Sequence, residues 1–153
     1  MEIESPDTTV AGDVTDMWVD LAAGQRDYGS HLLADGNRTR IRESVVRHIV
    51  TDSLLVARED GALVGFVMFS VESGSFDQDV RRGVVENLFV AESHRRETVG
   101  QTLLDAAEAR LADRGVAVVG LEVMAANQDA RAFYRANGYE LHRVELEKPI
   151  DTD

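Results

Sequence analysis

ENLFVAESHRRETVG, residues 86–100, decides how this chain is read. Its opening residues complete an apolar strand, GVVENLFV, that runs from Gly83 to Val90. Its last residues begin VGQTLLDAAEARLADRG, an amphipathic helix that starts near Thr98 and is closed by Gly115. Between the two, His94, Arg95 and Arg96 gather positive charge in a chain whose formal net charge is −12. A helix start presents unpaired backbone N–H groups and a partial positive charge, so it favours anions, phosphates above all. Gly100, without a side chain, leaves the first turn open to close approach. A pyrophosphate suits such a place. Pairing of Arg95 and Arg96 with Glu92 and Glu97 on a solvated surface is the competing reading, since one glycine is a weak phosphate signal.

Upstream, DVTDMWVDLAAGQRDYG places Val14, Met17, Trp18 and Leu21 at helical spacing, and Ile41, Val45, Val46 and Ile49 mark a second helix. Trp18 reads as core. SLLVARED and ALVGFVMFSVES are apolar runs joined at Asp60-Gly61, which predicts a hairpin with a tight turn. Downstream, VAVVGLEVM is almost continuously apolar and predicts a central strand covered on both faces. NQDARAFYRANG is a short helix ended by Gly138, and YELHRVELE predicts a last strand. The order is α-α-β-β-β-α-β-α-β, a mixed sheet with helices on its faces, of α/β (α+β mixed-sheet) class, with room for a short extra N-terminal strand. Nothing divides residues 1–153, so a single domain is expected, with loose ends through Asp7 and from Ile150.

Composition narrows the chemistry. There is no cysteine, which excludes disulfides, thiolate metal sites and a cysteine nucleophile. The four histidines, His31, His48, His94 and His142, show no metal-ligand spacing, so no metal is expected. His94 is suited to assist phosphate binding, and the other three read as surface or core residues. Lys148 is the only lysine against 28 acidic residues. That balance suits a halophilic protein, because strong screening makes a large like-sign charge tolerable. No basic stripe exists to displace counterions, so neither nucleic acid nor an anionic membrane is an expected partner. An acidic N-terminus without an apolar core segment, and no run long enough to cross a bilayer, point to a cytoplasmic protein.

The residues around the opening stretch resemble the GNAT superfamily of acyl-CoA-dependent N-acyltransferases. RRETVG (Arg95, Arg96, Glu97, Thr98, Val99, Gly100) is similar to that family's Arg/Gln-x-x-Gly-x-Gly/Ala signature, with Thr98 standing where the first glycine is usual. A second signature matches at Asn127, Ala130, Phe133-Tyr134 and Gly138-Tyr139. The resemblance runs from about Ser53 to Lys148, in the family's element order. It implies acetyl-CoA as acyl donor, with its pyrophosphate on the amides from Arg96 to Gln101 and Arg95 nearby. The pantetheine arm would run along Leu88, Phe89 and Val90, held by backbone groups, with Asn127 opposite and Phe133 beside it.

The same resemblance implies direct transfer to a primary amine in a ternary complex. Tyr134 holds the family's position for the acid that meets the departing thiolate, and a backbone N–H at a bulge near Leu88 to Val90 would serve the oxyanion. For the base, Glu86, Glu122 and an ordered water all remain. Glu86 is preferred, although it can instead pair with Arg81 or Arg82. Glu122 interrupts an apolar strand, a costly place for an idle carboxylate, or else sits at a solvated sheet end. LEV followed by Asn, Ala and Tyr also looks like the branch that acetylates protein N-termini. The acceptor stays open between a small-molecule amine and a protein N-terminus. The loops Gly29–Asn37 and ESGSFDQDVRR are placed to cover it. A non-catalytic acyl-CoA-binding or assembly protein on the same fold is the alternative, and Thr98 is the feature that favours it. A Rossmann-type nucleotide domain is disfavoured by the hairpin-first order and the lack of G-x-G-x-x-G after an early strand. A homodimer, through the last strand or the N-terminal helices, fits the family.

Overall fold

The computed structural model describes residues 1–95 and 98–151. Five strands form one sheet in the order β1-β2-β3-β4-β5: Glu2–Glu4, Leu54–Glu59, Ala62–Val71, Arg82–Val90 and Val118–Leu121. Neighbours are antiparallel except β4 and β5, which are parallel. Helices α1 (Ala11–Arg26) and α2 (Arg38–Val50) cover one face, and α3 (Val99–Asp113) covers the other. Helix α4 (Gln128–Ala136) packs its aromatic pair against the α3 side. None of the described helices is long and apolar enough to cross a membrane.

The pattern explains the layers. Leu54, Val56, Phe66, Met68 and Phe89 point to α1 and α2, where Val14, Val45 and Ile49 meet them. Leu55, Ala57, Val64, Val67, Phe69 and Val85 point the other way, onto Val99, Leu103, Leu104, Ala107 and Leu111. Strands β2 and β3 are therefore buried on both faces, which is why they read as unbroken apolar runs. Asp60 and Gly61 both take positive φ (51° and 83°), as a two-residue hairpin turn requires, and Glu59 pairs directly with Ala62.

At Gly65 the sheet has no room for a side chain. A Cβ there would lie 2.6 Å from the Phe89 carbonyl oxygen and 3.1 Å from a Leu103 methyl. Gly65→Ala should therefore cost about 1–3 kcal/mol by overpacking. A lowered urea midpoint with an unchanged slope would register it.

Three expectations need correction. The N-terminus is not loose, because Glu2–Glu4 pairs with Val56–Arg58 as an edge strand. The strand expected across residues 116–124 is confined to Val118–Leu121, and none of its four residues is buried. YELHRVELE forms no strand: residues 139–151 carry no regular structure. The last two have one cause, since β5 has β4 on one side and no strand on the other.

Candidate active site

Strands β4 and β5 run side by side only from Arg82↔Val118 to Val85↔Leu121. Beyond that pair β4 continues to Val90, while the chain after Leu121 leaves the sheet. The backbone groups of Glu86–Val90 that face away from β3 therefore meet no strand partner, and a wedge opens between the two chains. The first residues past the last pair are Glu86 on one side and Glu122 on the other. Both candidate bases thus stand where the two strands part.

A bulge decides what β4 presents. Met68 pairs with Asn87 and Phe69 with Val85, leaving Glu86 as the extra residue. The expected bulge at Leu88 to Val90 thus falls at Glu86, because that is where the β3 pairing slips. Without it Glu86 and Asn87 would point to opposite faces. With it, both turn toward α1 and α2: Asn87 Oδ1 accepts from Trp18 Nε1 at 3.1 Å, and Glu86 Oε2 lies 2.5 Å from His48 Nε2. The alternative pairing of Glu86 with Arg81 or Arg82 does not form; Arg82 binds Glu72 and Arg81 binds the Arg114 carbonyl.

His48 is the residue that sequence reasoning missed. It projects from α2, its side chain 14% exposed against 37% for Glu86. Its Nδ1 lies 2.7 Å from the Ser44 carbonyl oxygen, which can only accept, so Nδ1 carries a hydrogen. With Glu86 ionised, Nε2 must carry the second, and the ring is then an imidazolium. Burial works against that charge, but the bonds to Glu86 and Ser44 and the Glu86 charge outweigh burial and the nearby Arg47, so the His48 pKa is raised above 6.5. The sign follows. A raised folded-state pKa stabilises the protein fully below the unfolded value and loses that contribution as pH rises through the raised one. His48→Gln should be less stable than the parent by about 1 kcal/mol near pH 6, with the gap closing as the pH is raised. Paired urea titrations across that range measure it.

At the far end of the wedge, Val90 leads through a short 3-10 turn (Glu92–His94) to α3. Arg95 turns back: its Nε donates to the Val90 carbonyl at 2.9 Å and its guanidinium lies 5.6 Å from the Phe89 ring centre. It thus closes the end of β4, and among the described residues its two terminal nitrogens bond no acceptor. Arg96 and Glu97 lie outside the described residues. Thr98 precedes the helix without a side-chain cap bond. Among the described residues no acceptor meets the N–H groups of Val99, Gly100 or Gln101. His94 is drawn toward Glu59, at 3.7 Å, rather than toward the helix start.

Several expected contributors offer backbone only. Phe89 and Val99 are core residues, 8% and 2% exposed. A Cβ at Gly100 would touch the Phe133 ring at 3.5 Å and Val90 at 3.6 Å, so Phe133 packs across the first turn of α3. Glu122 is exposed, one residue past the end of β5, and bonds no side chain among the described residues. It sits at a solvated sheet end, so burial gives no ground for a catalytic role there.

Asn127 is buried, and its Oδ1 accepts from the Ala130 N–H at 3.1 Å, capping α4. That leaves its amide NH₂ as the group to offer a ligand. Tyr134 stands edge-on between Phe133 (5.2 Å) and Tyr139 (5.9 Å). Burial pushes its pKa up to about 12, and among the described residues nothing bonds its hydroxyl. Tyr139 is different: burial and its 2.5 Å bond to Glu108 raise its pKa further and tie the end of α4 to α3.

The features fit a long, thin, anionic-ended ligand: an open strand edge, amides at a helix start that meet no acceptor among the described residues, and amide and hydroxyl donors from α4. A sequence model described as the acetyltransferase (GNAT) family matches residues 18–139. An uncharacterized N-acetyltransferase of Archaeoglobus fulgidus is 28% identical over 148 residues, covering 95% of each chain. A GCN5-related N-acetyltransferase from Ralstonia eutropha is 25% identical, with a TM-score of 0.76 over 97% of both chains. The PaiA N-acetyltransferase of Thermoplasma acidophilum, solved in complex with coenzyme A, is 19% identical with a TM-score of 0.73, over 94% of this chain and 92% of that one.

Proposed function

Because the chain belongs to the acetyltransferase (GNAT) family, we propose that it transfers an acetyl group from acetyl-CoA to a primary amine, both substrates being held at once in the wedge between β4 and β5. The observation that carries this is the separation of those strands after Val85 and Leu121, which leaves the Glu86–Val90 edge without a strand partner beside an α3 start whose amides meet no acceptor among the described residues. The pantetheine arm would lie against that edge as an added strand. The phosphates would take the N–H groups of Val99, Gly100 and Gln101 with the terminal nitrogens of Arg95, and Asn127 would donate its amide from α4. Thr98 keeps a backbone N–H to offer, so its replacement of the usual glycine does not remove a donor.

The acceptor arrives as an ammonium and must lose a proton. The Glu86–His48 pair is the group in this chain arranged to take one. With Nδ1 bound to Ser44, a neutral His48 turns an unprotonated Nε2 toward the Glu86 carboxylate. A proton received there restores the imidazolium–carboxylate pair and relieves the repulsion. Tyr134 serves the opposite step. Its pKa of about 12 lies well above that of a thiol, ~8.5, so it stabilises the departing sulfur as a hydrogen-bond donor rather than by giving up its proton.

A panel of amines, including polyamines, amino acids, aminoglycosides and peptide N-termini, assayed for acetyl-CoA-dependent thiol release tests this. Turnover that requires one of these amines is expected. Saturable acetyl-CoA binding with no transfer to any of them would favour a non-catalytic acyl-CoA-binding protein instead.

A further inference from the structure

Asn87 follows Glu86 onto the α1 and α2 face of the sheet, and no step proposed above uses it. In a regular strand two consecutive side chains fall on opposite faces. Here the slip between Met68 and Phe69 sets a carboxylate and a carboxamide side by side. The first is bonded to His48 of α2 and the second to Trp18 of α1.

The Trp18 bond settles which way the carboxamide lies. An indole N–H can only donate, so the atom 3.1 Å from it is the Asn87 oxygen. The NH₂ forms the other branch, and among the described residues it bonds no acceptor. No buried side-chain nitrogen or oxygen of the described residues lacks a partner, so this NH₂ is open to solvent. It is an oriented donor on the part of β4 that has no β5 neighbour.

The two faces of the sheet divide the work. The side chains of α3 and α4 pack on one face, and those of α1 and α2, Trp18 among them, on the other. An amine that meets Glu86 therefore meets Asn87 as well. A proton-accepting pair beside a fixed N–H donor matches an amine with an oxygen on the adjacent carbon. That oxygen must be neutral, because a free carboxylate would be repelled by the charge of Glu86. We propose that Asn87, oriented by Trp18, selects acceptors whose amine adjoins a neutral carbonyl, 2-amino amides, over alkylamines and polyamines. The inference rests on the acetyl transfer proposed above and adds which amine is taken. A donor left unpaired by an amine that lacks the oxygen is what rejects it.

Alaninamide and 3-methyl-2-butylamine, in which an isopropyl group replaces the carboxamide, form a matched pair of the same shape. The kcat/KM ratio of the two is measured in full-length parent and variants. Because each ratio is taken within one variant, partial loss of folded protein cancels. Asn87→Leu should lower the preference for alaninamide about tenfold, and Trp18→Phe, which frees the carboxamide to turn, about threefold. A peptide beginning with alanine should lose the same factor in Asn87→Leu. Whichever of peptide and alaninamide turns over faster in the parent shows the form in which the 2-amino amide arrives. Binding gives a second reading, since Trp18 is the only tryptophan. In the presence of free CoA its emission should respond saturably to alaninamide and at about tenfold higher concentration to the isostere. Transfer that persists with a ratio unmoved by Asn87→Leu, or equal binding of the two amines, would overturn the selection and leave the transfer standing. No transfer to any amine would overturn both.

Discussion

Tyr134→Phe should lower kcat by about 10²–10³-fold and leave the affinity for acetyl-CoA within about twofold of the parent. The ring is held by its edge contacts with Phe133 and Tyr139, which phenylalanine reproduces. The hydroxyl bonds nothing among the described residues, so stability should hardly change. On the proposed reading, what is lost is one donor to charge that exists only while the thioester is being cleaved. Such an interaction appears in kcat and not in binding. Steady-state kinetics with the amine identified by the acceptor panel, beside calorimetric binding of acetyl-CoA, separates the two. An unchanged kcat would remove Tyr134 from the chemistry.

Glu86→Gln should cost kcat/KM about 10²-fold and reshape its pH profile. In the parent, activity should rise with pH through the raised value of the His48–Glu86 pair, because only the form that has lost its shared proton can accept another. The His48 value is raised from its ordinary 6.5 by its bonds to Glu86 and Ser44 despite burial. Glutamine at position 86 removes the carboxylate that raises His48, so any residual activity should lose that limb or show it at lower pH. His48→Gln should also displace the limb while keeping the Glu86 carboxylate. Glu122→Gln is the control: it should change kcat/KM by less than about threefold, since that side chain is solvated past the end of β5. A large loss at Glu122 with none at Glu86 would reverse the assignment.

Much of this frame is legible in the sequence. The apolar runs of β2 and β3, the Asp60-Gly61 turn, and the α3 stripe of Val99, Leu103, Ala107 and Leu111 announce themselves through periodicity and turn chemistry. The misreadings share a different origin. Alternation says which faces of a strand are apolar, but it cannot name the strand's neighbour. VAVVGLEVM therefore reads as a strand covered on both sides although β4 is its one strand neighbour among the described residues, and YELHRVELE reads as a strand although it pairs with none of them. The three-residue Glu2–Glu4 strand is too short to show any period.

At the site, Tyr134 and Asn127 follow from the motif that contains them. The turning of Glu86 toward His48 does not, because it depends on a slip in the pairing between Met68 and Phe69. His48 has one local sign. Ser44 lies one helical turn before it, and the core residues Val45 and Ile49 flank it, so its ring stands at the margin of the buried stripe.

Acyl-CoA is proposed to lie in the wedge between β4 and β5. Calorimetric titration of the folded full-length protein with acetyl-CoA, in high salt and with free CoA and ATP as comparisons, tests it most directly. One acetyl-CoA per chain is predicted, with ATP binding far more weakly, and Asn127→Ser, which keeps the α4 cap but removes the amide donor, should weaken acetyl-CoA about tenfold. No heat of binding at millimolar acetyl-CoA, in protein whose circular dichroism is that of a folded α/β domain, would contradict the account at its root.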